Sequence, residues 1–420
     1  MNTSTLPFSP SSRIFAILLG ISIPSLAYGR VVFAVIVGMA FVTLIISRPF
    51  RDVICDLSEQ IKTPIGILIL LTYIAWLPSV FFSNFPLRSF EAVTRTLLFI
   101  GIASMFWSCL RLDQRLIAIS SRAFLFMTIA STVFTLLSMT VLPEFFWAMR
   151  LKGWLTEPIG SSLKGFSSLA VFIVPLLIII GYHSTRMWQV ACVGLSAAFA
   201  FIVWENFNRA TIAGFLAAGL IVTLALLVSK VSKKIAYSAM LVMGVAIYAA
   251  LTWLESARGY SVKLFGSQED WLLPIWLIDF ERQKIWTKAW EIASGSPWFG
   301  IGANTINFAP GADEIIKGTH GLHIIPAHPH NWLVEVLAET GAVGLAALSI
   351  TILLAAVWFL LNLRQTGNIG TMCAIGIMAG YWGSGLFNFS YWSAWWQLSF
   401  LISIAICFAF NSLTDKAATP

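Results

Sequence analysis

Apolar runs dominate the chain, each close to the ~20 residues a helix needs to cross the hydrocarbon core of a bilayer. About twelve can be marked out: 13–29, 31–47, 64–82, 93–110, 116–141, 167–182, 186–204, 210–228, 235–254, 332–361, 369–388 and 391–411. Backbone inside lipid has no water to satisfy its N–H and C=O groups, so runs of this length must be helical. The expected fold class is therefore all-α and polytopic. Composition agrees. The chain is 58% hydrophobic and only 11% charged, where a soluble domain carries about 25% charged residues. The 18 Trp and 32 Phe suit a protein whose aromatic rings sit at membrane interfaces. Three stretches follow: 1–254 with nine spans, a long loop over 255–331, and 332–420 with three spans and a tail. No cleavable signal peptide and no internal repeat is recognised.

A formal net charge of +7 raises nucleic acid as a partner. The Lys and Arg residues are scattered singly between apolar runs, with no basic stretch interleaved with aromatics, and that excludes it. Loop charge sets the orientation instead. With the N-terminus inside, thirteen Lys and Arg fall on the cytoplasmic side. Seven fall on short outer loops: Arg30, Arg88, Arg95, Arg150, Lys152, Lys164 and Arg209. Long loops escape the positive-inside rule and are left out. Both termini are thus expected in the cytoplasm. Seven outer cations exceed what topology needs, and an anionic, lipid-linked substrate would account for them. The five cysteines form no CxxC or zinc-spaced cluster, and none lies in the long loop, so neither a disulfide there nor a metal centre is expected.

The long loop is too rich in Trp, Phe, Ile and Leu for disorder, and it holds four of the five histidines: His320, His323, His328 and His330. Residues 279–293 read as an amphipathic helix. Asp279 is a plausible cap, and Trp286, Ala289, Trp290 and Ala293 recur at helical spacing. Such a helix is expected to lie on the membrane surface. Arg282 shares the Trp286 face and needs an anionic partner there, which a lipid phosphate would provide. The Gly300 and Gly302 pair marks a tight turn.

A further helix is predicted to start at or just after His330. Along it His330, Val334, Leu337, Gly341 and Gly344 form one ridge, whose glycines would admit a second helix closely. Asn331, Glu335 and Glu339 form a polar stripe. Carboxylates at such a depth must be paired or face a wet cavity. A helix N-terminus disfavours the imidazolium, so His330 suits a general base; equally, it can serve only as a cap. His328 is the competing base. Arg209, at the outer start of the eighth span, either snorkels to the headgroups or contacts a phosphate.

The sequence His330, Asn331, nine residues, then Gly341-x-x-Gly344 resembles the signature of the bacterial O-antigen ligase family, whose relatives include O-antigen polymerases and protein O-oligosaccharyltransferases. The resemblance extends to the span count and to the large outer loop before the third-last span. Arg209, followed by Ala210 and Thr211, resembles the family's outer arginine, though many members carry Ser where this chain has Asn208. Arg282 resembles the second family arginine.

The resemblance implies a glycosyltransferase with a fold similar to the GT-C class, working at the periplasmic face of the bacterial inner membrane. The donor would be O-antigen on undecaprenyl pyrophosphate, and the acceptor a sugar hydroxyl of lipid A–core oligosaccharide. A sugar–pyrophosphate bond carries its own leaving group, so the enzyme must deprotonate the acceptor and hold the diphosphate. His330 is the candidate base, and Arg209 and Arg282 the candidate diphosphate clamp. No cofactor is expected, and no metal, because no Asp-x-Asp motif lies in an outer loop. Arg88, Arg95, Asn331, His328 and Lys152 are further candidates for substrate binding. A polymerase, a protein oligosaccharyltransferase and, in another class, a solute or lipid transporter stand as alternatives. The transporter is disfavoured because the spans are nearly uncharged and the polar groups gather at one face.

Overall fold

The computed structural model describes residues 9–143, 159–230, 280–316 and 321–417, with isolated positions 146, 238, 242, 245, 249, 253 and 319. Asp279, Arg150, Lys152 and His320, and most of the 235–254 run, lie outside the described residues.

Fourteen α-helices make up the described fold: α1 (Pro10–Ser22), α2 (Arg30–Ser47), α3 (Phe50–Ile61), α4 (Pro64–Phe81), α5 (Pro86–Leu110), α6 (Gln114–Thr140), α7 (Ile159–Ser168), α8 (Ala170–Tyr182), α9 (Arg186–Glu205), α10 (Arg209–Lys230), α11 (Phe280–Gly295), α12 (Trp332–Thr366), α13 (Ile369–Gly385) and α14 (Ala394–Ala417). Among the described residues nine helical stretches are long and apolar enough to cross a membrane, so the protein is an all-α polytopic membrane protein. The remaining expected spans differ in form. The first is a short α1 followed by a 3-10 turn, Pro24–Tyr28, because Pro24 removes a backbone donor at that point.

Helix α3 falls where a charged loop was expected. Its twelve residues are too few to span a bilayer, but they alternate faces at helical period. Val53 is buried, Asp56 pairs with Arg48 at 2.9 Å, and the Gln60 side-chain amide donates to Ser108 of α5 at 2.9 Å. The helix thus lies against the bundle end opposite the long loop.

Four helix pairs build the core: α1 on α6 and α14 on α5, which run parallel, and α12 on α4 and, most extensively, α10 on α13, which run antiparallel. The last pair approach closely because the contact is made of small residues. A Cβ on Gly214 would sit 2.9 Å from the Gly380 carbonyl oxygen, and one on Gly383 would sit 2.5 Å from Ala217 Cβ. Between lipid-facing helices such close packing supplies the dispersion contacts that hydrophobic burial cannot. The α10–α13 contact carries the start of α10, with Asn208 and Arg209, up to the end of α13.

Candidate active site around His330

Two segments meet at the end of the bundle opposite α3: the 321–331 segment leading into α12, and the eight-residue loop 386–393 joining α13 to α14. That loop corrects the expected spans. The runs 369–388 and 391–411 had absorbed it, whereas α13 stops at Gly385 and α14 starts at Ala394.

Helix α12 starts at Trp332, with Asn331 as its cap: the Asn331 side-chain oxygen accepts from the backbone N–H groups of Leu333 at 3.0 Å and Val334 at 3.4 Å. Asn331 therefore has a local reason to be where it is. His330 lies before the cap in a left-handed conformation, φ 55°, so it does not continue the helical ridge. That backbone, unusual for a side chain with a Cβ, turns the imidazole toward the 386–393 loop. Its Nδ1 lies 3.0 Å from the Asn388 carbonyl oxygen. A carbonyl can only accept, so Nδ1 carries the proton and Nε2 the lone pair.

The neighbouring carbonyl, that of Phe387, accepts from Arg282 Nη1 at 2.9 Å. Consecutive carbonyls of one loop thus hold the guanidinium of α11 and the imidazole of His330. The Trp286 indole N–H donates to the Pro329 carbonyl at 2.9 Å, fixing α11 against the same segment. This overturns the surface placement of α11. Trp286, Ala289 and Ala293 are buried against Ile306, Ile316, Ile325 and Ala338, not laid on lipid, while Trp290 is 59% exposed. Trp290 lies about 100° around the axis from Ala289 and so leaves the buried face.

Burial and the charges of Arg282 and Lys164 hold the His330 imidazole below its ordinary range, with the Asn388 hydrogen bond opposing them. Burial and His330 itself push His328 down to about 3, with Arg30 and Arg282 adding to the effect and the Asn388 backbone opposing it. The two rings lie 4.2 Å apart. Both shifts favour the neutral ring near pH 7. Arg282, Lys164 and Arg30 surround them with positive charge, the environment of an anion site. His323 sits apart, its Nδ1 2.6 Å from the Asp313 carbonyl.

Arg209 opens α10, next to Asn208. The Asn208 amide donates to Ser167 Oγ at 2.8 Å and to Ser168 Oγ at 2.9 Å, while its oxygen accepts from the Thr211 N–H at 3.2 Å. The Asn388 amide donates to the same Ser168 hydroxyl at 3.1 Å. Asn208, Ser168, Asn388 and His330 are thereby linked in one chain of bonds, and the exposed Arg209 side chain emerges beside it. The departure from Ser at position 208 has a physical account, since Asn and Ser are equally good caps for the helix that follows.

Two of the other expected cations, Arg88 and Arg95, have protein partners. Arg88 Nε donates to the Asn304 carbonyl at 2.6 Å and its guanidinium lies 4.9 Å over the Phe308 ring. Arg95 pairs with Glu91 and donates to the Trp392 carbonyl at 2.9 Å. Glu335 and Glu339 neither orient His330 nor pair with an arginine. Glu339 accepts from the N–H groups of Asn304, Thr305 and Ile306 at 2.7–2.8 Å and from the Trp392 indole. Glu335 accepts from Tyr391 N at 2.7 Å and from the Ser390 hydroxyl. Both carboxylates are buried and tie loops to α12.

The glycine motif also works differently from a helix-packing ridge. Gly341, at φ 68° and ψ −176°, breaks α12. The 297–302 turn inserts at the break: Ala342 N donates to the Pro297 carbonyl at 2.8 Å and Gly302 N to that of Glu339 at 2.9 Å. A Cβ on Gly341 would meet the Trp298 carbonyl at 2.2 Å. Only at Gly344 does a helix approach, where the Trp76 indole of α4 donates to its carbonyl at 3.3 Å.

Sequence reasoning missed Asn388, Phe387 and Ser168. Asn388 and Phe387 act through backbone carbonyls, for which the sequence carries no signal.

The fold and this cluster define a class: a multi-pass helical protein with a cation-rich, histidine-bearing cluster at one end of the bundle. Residues 170–349 match a family model described as O-antigen ligase, and this stretch, which contains Arg209, Arg282, His330, Gly341 and Gly344, is what the chain shares with that family. No curated protein matches the chain. The family defines a glycosyltransferase-like ligase or polymerase of lipopolysaccharide biosynthesis, acting in the membrane on a lipid-linked polysaccharide donor and a lipid acceptor.

Proposed function

We propose that this protein is an O-antigen ligase, transferring polysaccharide from undecaprenyl pyrophosphate to a sugar hydroxyl of lipid A–core at the periplasmic face of the inner membrane. The observation that carries this reading is the pair of consecutive carbonyls that hold Arg282 and His330 side by side. His330 Nε2 takes the proton of the acceptor hydroxyl. The acceptor oxygen forms a bond to the anomeric carbon as the bond from that carbon to the pyrophosphate oxygen breaks. The electron pair leaves with undecaprenyl pyrophosphate, whose growing charge is met by Arg282 and Arg209, with Lys164 beside them. Attack opposite the leaving group inverts the anomeric centre, and NMR of the product linkage reads that directly.

Neither a metal nor a cofactor is required, because the clamp is cationic and the leaving group already activated. Arg88, Arg95, Asn331, His328 and Lys152 extend or support the substrate surface. The test is incubation of purified protein with lipid-linked glycan and lipid A–core in EDTA. A ladder of glycan on core supports the ligase. Lengthening of the lipid-linked glycan with core untouched would make the protein a polymerase, and transfer to Ser or Thr of a protein would make it an oligosaccharyltransferase.

A further inference from the structure

Helix α11 reaches well beyond the reacting centre. Arg282 stands in its first turn and Ile292 ten residues later, about 15 Å along the axis. At that far end a crevice of about 320 Å³ opens between α11, the loop after it and the turn from α4 to α5. The reaction as derived above makes no use of it.

Its lining is mixed in a way that suits a sugar. Phe85 and Phe308 bring their rings to 4.9 Å, tilted 43°, and both remain exposed. The Arg88 guanidinium over Phe308 holds that ring in place. Around them stand Asn84, Ser296 and Lys288. A pyranose offers a C–H face to an aromatic ring and hydroxyls to amide, hydroxyl and ammonium groups. Among the described residues Lys288 pairs with Glu291 at 3.4 Å, a loose pair that a ligand can displace.

The rim indicates where such a sugar comes from. The α4–α5 turn that supplies Asn84 and Phe85 also presents Phe81, 82% exposed, Phe82, and Leu87, 84% exposed. Side chains of this kind at a helix end belong in the lipid interface. The crevice therefore opens at headgroup level, where the sugars of a membrane-anchored glycolipid lie. The donor's diphosphate already has the cations around His330.

We propose that this crevice binds the saccharide headgroup of the acceptor glycolipid; the proposal rests on the glycosyl-transfer reading above. The test uses the full-length protein in nanodiscs, with Asn84→Ala, Lys288→Gln and Phe308→Ala beside wild type. The acceptor KM should rise about tenfold in each variant while kcat and the donor KM stay within about twofold. Binding of lipid A–core without donor should weaken to match. Asn84 is exposed and Lys288→Gln keeps a polar side chain of similar length at a half-buried position, so unchanged acceptor KM and binding in these two folded variants would overturn the proposal. A rise in donor KM alone would overturn it too, by giving the crevice to the donor glycan. If wild type makes no product, the transfer reading fails, and the binding measurement still decides the crevice: weakened binding supports it and unchanged binding refutes it.

Discussion

His330 joins several constraints at one residue. Its φ of 55° is a conformation that costs about 1 kcal/mol or more for a residue with a Cβ, and the gain is an imidazole with its Nδ1 proton committed to Asn388. A base must be neutral to act, so activity is lost as pH falls through the His330 pKa. Because burial and Arg282 lower that pKa, the acid limb of the kcat/KM profile should lie below the ordinary imidazole value of about 6.5. Arg282→Gln removes one lowering influence. The residual activity of that variant should therefore show its acid limb at higher pH, together with a lower maximal rate. An unmoved limb would separate the guanidinium from the imidazole. At this scale the sequence singled out His330, Arg209 and Arg282 because each side chain carries its own chemistry, and the structure brings His330 and Arg282 to consecutive carbonyls of one loop. The sequence was silent on Asn388 and Phe387, because these act through backbone carbonyls, which every residue possesses and no pattern marks.

Elements show the same division. Long apolar helices were legible because the bilayer imposes both length and composition. Short ones were not. Helix α3 was hidden by its charges, and the 386–393 loop by aromatic residues that read as membrane span. The break in α12 was hidden as well, since glycines in a membrane helix most often signal close packing. At Gly341 the backbone itself demands glycine, for φ 68° with ψ −176° is a region other residues scarcely enter. Gly341→Ala should lower stability by about 3 kcal/mol or more, through strain and the clash with Trp298. A fall in the melting temperature of the detergent-solubilised protein measures it. Wild-type melting in the variant would mean that the 297–302 turn does not enter the break. The Glu339 carboxylate binds the segment just after that turn, through the N–H groups of Asn304, Thr305 and Ile306, so Glu339→Ala should destabilise comparably by leaving those groups unsatisfied.

For the whole molecule, the account requires the His330 end of the bundle to face the periplasm. The cysteines offer a direct reading. Cys109, Cys192, Cys373 and Cys407 are buried, whereas Cys55 is exposed on α3, at the opposite end of the bundle from His330. A membrane-impermeant thiol reagent should leave Cys55 unlabelled in intact spheroplasts and label it after permeabilisation. Labelling of intact cells would invert the topology and move the proposed chemistry to the wrong side of the membrane.

The central claim, that His330 deprotonates the acceptor beside a cationic clamp, meets its most direct test in reconstituted transfer with EDTA present. Donor binding should be measured in parallel for wild type and His330→Ala at equal folded yield. The account predicts transfer slowed about a hundredfold to ten-thousandfold with donor affinity retained, because Arg209, Arg282 and Lys164 are untouched. Transfer by His330→Ala at the wild-type rate would contradict it and make His328 the residue to test next.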